Sequence, residues 1–350
     1  MDESYFRGRG AQIKPDNKFL KNHYVTEHIE GLDEPLLESP FTQIFHENPK
    51  KIVNKVDSPD LGLMYSMNPY QGCEHGCIYC YARNTHEYYG FSAGLDFESK
   101  IIVKQNAPRL LEQQLLHKNW NAVPIMLSGN TDCYQPQERK FEITRRMLKV
   151  LAQYRHPVSI ISKNSLILRD LDLLQDLAAD NLVHVFISIT TLNEDLRRVM
   201  EPRTASAQKR LKTIESLIKS GVPAGVMNAP IIPGLNHHEI PSILKAAADH
   251  GALVAGMSMV RLNGSVGNLF EDWLRKNFPD RVDKVLNQIC SMHGGHVNDS
   301  QFGRRMSGEG NIAEAIHQLF RASKKRYFAG RQMPAFDLTL FRKGGSYSLF

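Results

Sequence analysis

The sequence has few cysteines and no long apolar run, and both absences exclude whole classes of protein. Its 350 residues contain five cysteines, three of them between positions 73 and 80, which does not resemble a disulfide framework. The first thirty residues are rich in charged side chains, and no later stretch is apolar enough to predict a membrane span. We therefore expect a cytoplasmic protein in a reducing compartment, with no membrane partner.

The chain has no strong excess of either charge. Its formal net charge of +6 at pH 7 is mildly basic, which permits an anionic partner such as a nucleic acid but does not require one. Local basic groups are Arg7-Gly8-Arg9, Arg304-Arg305 and Lys324-Lys325-Arg326, the last followed by Tyr327 and Phe328. Cations mixed with aromatic rings suit phosphates and stacked bases. The alternative is an ordinary solvated surface, which is the usual state of charged runs.

Short apolar runs alternate with amphipathic helical patterns from about residue 61 onward. The runs that predict strands buried on both faces are residues 61–68, 122–127, 158–161, 182–189, 223–228 and 253–261. Gly221 and Gly251 stand where helices should end, just before the next strand. This βα repeat predicts an α/β fold on a parallel sheet, which is either open and doubly wound or curled into a full or partial barrel. In each case functional groups gather at the carboxyl ends of the strands.

The pattern divides the chain into three parts. Residues 1–60 are polar and interrupted by glycine and proline, so we interpret them as an irregular N-terminal extension. Residues 61–264 contain the six predicted strands. Residues 265–350 are predicted to form a helical region and a tail, with no seventh or eighth strand.

The three clustered cysteines, Cys73, Cys77 and Cys80, follow the first predicted strand. Thiolates hold iron-sulfur clusters, and a cubane normally takes four of them, so three without a local fourth indicate an iron left open for another ligand. One alternative is zinc, with His75 or Cys133 as the fourth ligand. Another is an electron-transfer cluster completed by Cys133 or Cys290. The βα context and the lack of a second cysteine pair favour iron-sulfur over zinc. Cys133 and Cys290 alone are too few for an auxiliary cluster.

The spacing Cys-x3-Cys-x2-Cys, with Tyr79 before the last cysteine, resembles the cluster motif of the radical S-adenosylmethionine (SAM) superfamily. The resemblance runs from about Asn68 to Arg261 and is greatest to its spore photoproduct lyase-like (DNA repair photolyase-like) group. It implies a partial (β/α)6 TIM-like barrel and a [4Fe-4S] cluster whose fourth iron is chelated by S-adenosylmethionine. It also implies an external one-electron reductant, flavodoxin- or ferredoxin-like, and cleavage of the cofactor to a 5′-deoxyadenosyl radical that abstracts hydrogen.

The resemblance also implies which residues bind the cofactor. Residues 128–132 resemble the serine-rich turn that receives the amino acid part of S-adenosylmethionine, and Lys163 resembles the lysine that reaches its carboxylate. Ser188 and Thr190 are assigned to the ribose, and Asn228 to the adenosine. The cofactor-binding positions are therefore Ser128, Gly129, Thr131, Asp132, Lys163, Ser188, Thr190 and Asn228. The alternatives are an ordinary Asx turn, an exposed lysine and satisfied buried hydroxyls.

Two further features concern the chemistry around the cofactor. Glu201-Pro202-Arg203 and Arg210 resemble a motif of the same group and imply a salt bridge near the cofactor. Gly129 occupies the place where that group's hydrogen-donating cysteine is expected. Cys133 and Tyr134 are then the candidates for hydrogen donor or radical relay, with packing in the core as the alternative for both.

The substrate is not given by the motif. The basic clusters make a nucleic acid plausible, with a flipped or single-stranded base reaching the buried radical. Modification of a protein or a small metabolite is the alternative among enzymes. A non-enzymatic iron-sulfur or zinc protein that binds nucleic acid is the alternative outside them.

Overall fold

The computed structural model describes residues 5–19 and 41–343. The strands are β1 (Gln43–His46), β2 (Val53–Lys55), β3 (Tyr65–Met67), β4 (Tyr70–Gln71), β5 (Lys100–Val103), β6 (Ile125–Leu127), β7 (Val158–Ser162), β8 (Val183–Ser188), β9 (Ala224–Ile231) and β10 (Ala255–Met259). The α-helices are α1 (Leu95–Ser99), α2 (Ala107–Leu115), α3 (Glu138–Phe141), α4 (Ile143–Gln153), α5 (Leu171–Ala179), α6 (Glu194–Met200), α7 (Ala207–Lys219), α8 (Ile240–Asp249), α9 (Ser265–Asn277), α10 (Val282–Met292) and α11 (Gly310–Tyr327). Short 3₁₀ helices are Tyr81–Tyr89, Ser165–Asp170, His237–Glu239 and Pro279–Arg281.

The main sheet has seven strands in the order β10-β9-β8-β7-β6-β3-β2. Its first six are parallel, and they lie within or overlap the six runs predicted from the sequence. The seventh strand, β2, pairs antiparallel with β3. Because β10 and β2 are the two ends of the sheet and do not pair with each other, the barrel is open. The predicted α/β fold on a parallel sheet is therefore confirmed in its partial form.

Two features of the sheets were not predicted. A second sheet has three strands in the order β1-β5-β4, and β1 and β2 both lie in the extension that was expected to be irregular. Both strands are short, and β1 is mostly exposed, so neither produces the alternating or continuous apolar pattern that predicts a strand. Residues 1–4 and 20–40 of the extension, and 344–350 of the tail, lie outside the described residues.

The main hydrophobic core lies between the sheet and its helices. Val158 and Ile160 of β7 are fully buried together with Leu151 of α4 and Ile214 of α7. The βα units close tightly because α7 is followed by Gly221, which has a φ of 78°. Such a left-handed conformation favours glycine and lets the chain turn back toward the next strand.

A second core lies under the cysteines and determines where the site is. Cys77 and Tyr79 pack with Leu269 and Trp273 of α9 and with Ile289 of α10. The helices that follow the last strand therefore cover one side of the cysteine loop. No strand follows β10 between residue 260 and residue 343, as predicted. Of the helices the structure describes, none has the length and apolar character needed to span a membrane.

Candidate active site

The cysteine loop joins β4 to the 3₁₀ helix Tyr81–Tyr89 and is tightly enclosed. Gly72 and Gly76 have φ angles of 78° and 66°, a region that side chains disfavour. A Cβ on Gly72 would lie 2.9 Å from the carbonyl oxygen of Lys100, and one on Gly76 would lie 2.8 Å from Oε2 of Glu98. Glycine at both positions therefore allows the loop to fold back on the surrounding backbone.

The three thiols of this loop share one environment. Cys73 and Cys77 are buried, and Cys80 is half-buried. Burial raises the pKa of Cys77 to about 12. Burial also raises the pKa of Cys73 well above its usual value, and Asp132 and the other two thiols add to the effect. Cys73 and Cys77 disfavour ionisation alone, but thiols become stable thiolates when they ligate metal, so the donor set of this loop fits an iron-sulfur cluster.

The alternative fourth ligands for zinc are engaged elsewhere. His75 Nδ1 lies 3.3 Å from Oδ2 of Asp132, and Nε2 lies 3.3 Å from the Asn164 side-chain nitrogen. Cys133 is fully buried in the main core, a different cluster from the one that holds Cys77. Within residues 5–19 and 41–343, no three His, Cys, Asp or Glu side chains form a site for a single metal ion.

The turn at residues 128–132 follows β6 and is held by side chains. Ser128 has a φ of 87°, and its Oγ accepts a hydrogen bond of 2.7 Å from the backbone N–H of Cys133. Asn68 Oδ1 accepts the N–H groups of Asn130 and Thr131 at 2.7 and 3.2 Å. The Thr131 hydroxyl is buried and has no hydrogen-bond partner in the described part of the chain. A rigid turn with one unpaired buried hydroxyl fits a ligand that supplies the missing bond.

Asp132 joins three parts of the site. Its Oδ1 accepts the Ser162 hydroxyl at 2.8 Å and the Tyr134 N–H at 2.9 Å. Its Oδ2 accepts the Lys163 N–H at 2.8 Å and faces His75 of the cysteine loop. Burial alone would raise its pKa, but His75 and these hydrogen bonds lower it to about 2. Both oxygens accept hydrogen bonds from the protein, so Asp132 organises the site, and its assignment to the cofactor stays a prediction.

Lys163 is the cation of the site. Its ammonium lies 5.8 Å from the centre of the Tyr79 ring. Burial lowers its pKa, but the charges of Cys77 and Glu201 outweigh burial, so the pKa lies above its usual value. None of the described carboxylates lies within ion-pair distance of this ammonium. Lys163 therefore presents a positive charge that a ligand carboxylate can neutralise.

A buried ion pair, Arg210 with Glu201, lies close enough to Lys163 to affect its pKa. Arg210 pairs with Glu201, and both side chains are almost fully buried. Glu201 also accepts the hydroxyls of Tyr79 and Thr190, the latter at 2.6 Å. Burial alone would raise the pKa of Glu201, but the positive charges of Arg210 and Lys163 lower it to about 2. The salt bridge expected from the resemblance is formed. Because the Thr190 hydroxyl donates its hydrogen to Glu201, this hydroxyl can only accept a hydrogen bond from a ribose.

The remaining predicted cofactor contacts lie on β8 and β9. The backbone carbonyl of Ser188 accepts the Arg210 guanidinium at 2.9 Å. The Asn228 amide donates to the carbonyl of Ile189 at 2.9 Å, while its Oδ1 is buried without a partner in the described residues. Asn228 therefore offers an unused acceptor, which suits the amino group of a base. Gly129 contributes its carbonyl, which accepts the Tyr81 hydroxyl.

Cys133 and Tyr134 lie in the main hydrophobic core and are fully buried. Burial raises the pKa of the Cys133 thiol well above its usual value. The Tyr134 hydroxyl donates to Asp170 at 3.1 Å. These surroundings match the packing alternative for both residues, and their part in hydrogen or radical transfer stays a prediction.

The sequence did not predict that a segment of the N-terminal extension packs against the cysteine loop. Residues 5–19, here called the N-terminal strap, cross this loop. Glu98 Oε2 accepts the Gly10 N–H at 3.0 Å, and Oε1 accepts the Ala11 N–H at 2.8 Å. Arg83 forms a fully buried ion pair with Glu98 and donates to the Cys77 carbonyl at 3.0 Å. The contacts of Glu98 with Gly10 and Ala11 join residues 88 and 87 positions apart, so no local pattern predicts them.

A cavity of about 550 Å³ lies beside this region and contains none of the predicted site residues. It lies between α6, the loop before α8 and the junction of α9 with α10. Its lining includes Asn193, Leu196, Leu235, Glu239, Phe278 and Arg281. The predicted cofactor contacts are thus spread along strand ends rather than around this cavity.

Comparison with known proteins relates the chain to others of similar sequence. The family model described as Radical SAM superfamily matches residues 67–247, which include all three clustered cysteines. An uncharacterized protein of Mycobacterium tuberculosis is 34% identical over 238 residues, or 67% of this chain and 70% of the relative. An uncharacterized protein of Methanocaldococcus jannaschii is 28% identical over 241 residues, or 69% of this chain and 86% of the relative.

Solved structures share the fold. Spore photoproduct lyase complexed with dinucleoside spore photoproduct has a TM-score of 0.60 at 14% identity, over 82% of this chain and 80% of that chain. A variant of that lyase with bound S-adenosylmethionine and dinucleoside spore photoproduct has a TM-score of 0.60 at 14% identity. The match covers 84% of this chain and 82% of that chain. The family match covers more than half of the chain, and the site fits the cofactors, so the non-enzymatic alternative is set aside. The chain belongs to the radical SAM superfamily, and it is an enzyme that uses a [4Fe-4S] cluster and S-adenosylmethionine.

Proposed function

We propose that this enzyme holds its cluster on Cys73, Cys77 and Cys80 and cleaves S-adenosylmethionine reductively. The observation that carries the proposal is the meeting of three thiols in one enclosed loop with the Lys163 ammonium beside it, which forms no ion pair with any described carboxylate. When bound, cluster and cofactor supply a 5′-deoxyadenosyl radical able to abstract a hydrogen atom from a substrate. An external one-electron reductant, flavodoxin- or ferredoxin-like, is part of the proposal.

Different residues of the chain bind different parts of S-adenosylmethionine. Lys163 neutralises the cofactor carboxylate, and the Thr131 hydroxyl supplies a hydrogen bond to the amino acid part. Asn228 Oδ1 accepts from the adenine amino group, which suits a buried acceptor that receives no hydrogen bond from residues 5–19 or 41–343. The turn at Ser128 and Gly129 receives the methionyl backbone, and Ser188 and Thr190 line the ribose. Helices α9 and α10 cover this side and exclude water.

We further propose that the substrate is a nucleic acid. The fold is shared with a lyase whose structures hold a dinucleoside photoproduct, and the net charge of +6 favours an anionic partner. Gly129 stands where a cysteine was expected, so the hydrogen donor differs from the one implied by the resemblance. The candidate cysteine donor next to this turn is Cys133, which is buried in the core. Modification of a protein or a small metabolite is the alternative.

Anaerobic reconstitution with iron and sulfide tests the half-reaction. The reconstituted protein is reduced with dithionite in the presence of S-adenosylmethionine, and 5′-deoxyadenosine is followed by chromatography. We expect formation in the wild type and loss of it in Cys77→Ala. Cys290→Ala is the matched control, because that half-buried cysteine lies on α10 outside the loop, and it should retain the activity. A fully loaded, reduced wild type that forms no 5′-deoxyadenosine would contradict the proposal.

A further inference from the structure

Arg261, at the carboxyl end of the sheet, is a cation that forms no ion pair with the carboxylates of the described residues. It lies just beyond β10, in a stretch anchored by a hydrogen bond of 2.9 Å from the Val260 N–H to the Ile231 carbonyl. Its side chain is half-buried, and its Nε is buried without a hydrogen-bond partner in the part of the chain that the structure describes. A buried donor left unpaired costs free energy, so such a group commonly marks the place of a ligand.

The carboxylates near Arg261 are already used. The charges of Asp60 and Asp299 act on Arg261, but each is bound to another guanidinium. Asp60 pairs with Arg305 at 2.5 Å, and Asp299 pairs with Arg304. Burial lowers the pKa of Arg261, and the positive charge of Arg305 lowers it further. Among the described residues, the surroundings thus leave a guanidinium that an added anion can neutralise.

Two exposed aromatic rings belong to residues that interact with Arg261 or with its neighbour Arg305. Phe302 is 50% exposed, and the Arg305 guanidinium lies 4.1 Å from the centre of its ring. Tyr81 is also 50% exposed, follows the last cluster cysteine directly, and interacts electrostatically with Arg261. The segment that carries Phe302 is held against β10 by a hydrogen bond of 2.9 Å from the Met259 N–H to the Met306 carbonyl. Arginine and exposed rings are therefore fixed on one rim beside the cysteine loop.

We propose that Arg261 binds a phosphate group of a single-stranded nucleic acid segment, and that Phe302 and Tyr81 stack its neighbouring bases. The planar guanidinium presents donors that match a phosphate, and a rim of rings with cations is how sequence-tolerant single-strand binding is built. A free carboxylate would also satisfy Arg261, but it would not cover the exposed parts of the two rings. This inference rests on the proposed function, because the rim adjoins the loop that holds the cluster.

The test measures binding of a fluorescein-labelled eight-nucleotide oligothymidylate to the reconstituted full chain by fluorescence anisotropy, at several salt concentrations. Arg261→Gln should weaken binding by about tenfold and lower the slope of log affinity against log salt by about one. Phe302→Ala should weaken binding with the slope kept. Arg261→Lys keeps the charge, so the slope should recover even where the affinity does not. Iron content and circular dichroism verify that each variant is folded and loaded.

Lys118→Gln is the matched control. Lys118 is exposed and lies between α2 and β6, hence at the amino end of the parallel strands, opposite the rim. Equal loss in Lys118→Gln and Arg261→Gln would show only general charge attraction and overturn the inference. Unchanged oligonucleotide binding in Arg261→Gln, or tighter wild-type binding of a labelled oligoglutamate peptide, would also overturn it. So would weakened S-adenosylmethionine binding in Arg261→Gln, which would assign Arg261 to the cofactor.

Failure of the inference and failure of the proposed function are distinguishable. Formation of 5′-deoxyadenosine by the wild type without oligonucleotide reports on the cofactor half-reaction. Anisotropy reports on the rim and needs no turnover. A protein that forms 5′-deoxyadenosine but binds no oligonucleotide loses the rim proposal alone.

Discussion

Single residues of the site fall into two groups according to whether their buried polar atoms have partners. Asp132 and Glu201 are fully engaged by the protein, and each has its pKa lowered to about 2 by those partners. The Thr131 hydroxyl and Asn228 Oδ1 are buried without a described partner. Since an unpaired buried group destabilises the fold, the first group builds the site and the second is available to the ligand.

The Thr131 hydroxyl provides a direct test of this division. Thr131→Val keeps the side-chain shape and removes an unpaired buried group, so the free energy of unfolding should stay equal or rise by up to about 1 kcal/mol. The affinity for S-adenosylmethionine, measured by equilibrium dialysis of the reconstituted protein, should fall about tenfold. Thr144→Val is the control, because that hydroxyl donates to the Cys133 carbonyl at 2.6 Å. It should lose stability and keep its affinity. Equal affinities in Thr131→Val and the wild type would remove the hydroxyl from the binding site.

The buried Glu201–Arg210 pair predicts a large loss of stability. Glu201→Gln leaves the Arg210 guanidinium buried without its counter-charge, which should lower the free energy of unfolding by about 3 kcal/mol. Because the pKa of Glu201 in the fold is about 2, below its unfolded value, this contribution is complete at neutral pH and declines only as pH falls below about 4. Urea unfolding at pH 7 measures it. Glu215→Gln, on an exposed i,i+4 pair with Lys219, should cause no measurable change. A small effect at Glu201 would mean that Arg210 finds another partner.

At the scale of elements, some strands were predictable and others were not. The six parallel strands lie within or overlap short apolar runs of the sequence, so their signal is local and the sequence predicts them. Strands β1 and β5 owe their place to pairing between distant segments, Gln43 opposite Lys100, which no local pattern encodes. The same contrast holds in the site. The cysteine spacing is a local motif, whereas Glu98 meets Gly10 only in the folded chain.

The N-terminal strap yields a prediction about protection of the cluster. A Cβ on Gly10 would lie 1.8 Å from the Gly76 carbonyl oxygen, a distance that no packing tolerates, so Gly10→Ala must displace the strap from the cysteine loop. We expect the visible absorbance of the reconstituted cluster to be lost several-fold faster in air. Gly62→Ala is the control, since no atom of the described residues lies within 4 Å of its Cβ position. Equal rates of loss in Gly10→Ala and the wild type would show that the strap does not shield the cluster.

For the whole molecule, the site lies at the carboxyl end of the parallel strands, and a buried histidine stabilises the packing at their amino end. His156 precedes β7 and is fully buried. Its Nε2 accepts the Trp120 indole N–H at 3.0 Å, and its Nδ1 lies 3.0 Å from the Pro157 carbonyl oxygen. The neutral ring therefore satisfies both nitrogens, and a proton added to Nε2 would break the bond to the indole.

This arrangement predicts acid sensitivity far from the site. Burial lowers the pKa of His156 to about 4, below its unfolded value near 6.5, so its stabilising contribution is complete above pH 6.5 and is lost as pH falls toward 4. Between pH 7 and pH 5 the loss should be about 2 kcal/mol. Urea unfolding at both pH values measures it: His156→Gln should be less stable at pH 7 but lose about 2 kcal/mol less than the wild type on acidification. His117→Gln, at an exposed histidine, is the control for the removal of an imidazole. Parallel losses in His156→Gln and the wild type would show that acid acts on the fold elsewhere.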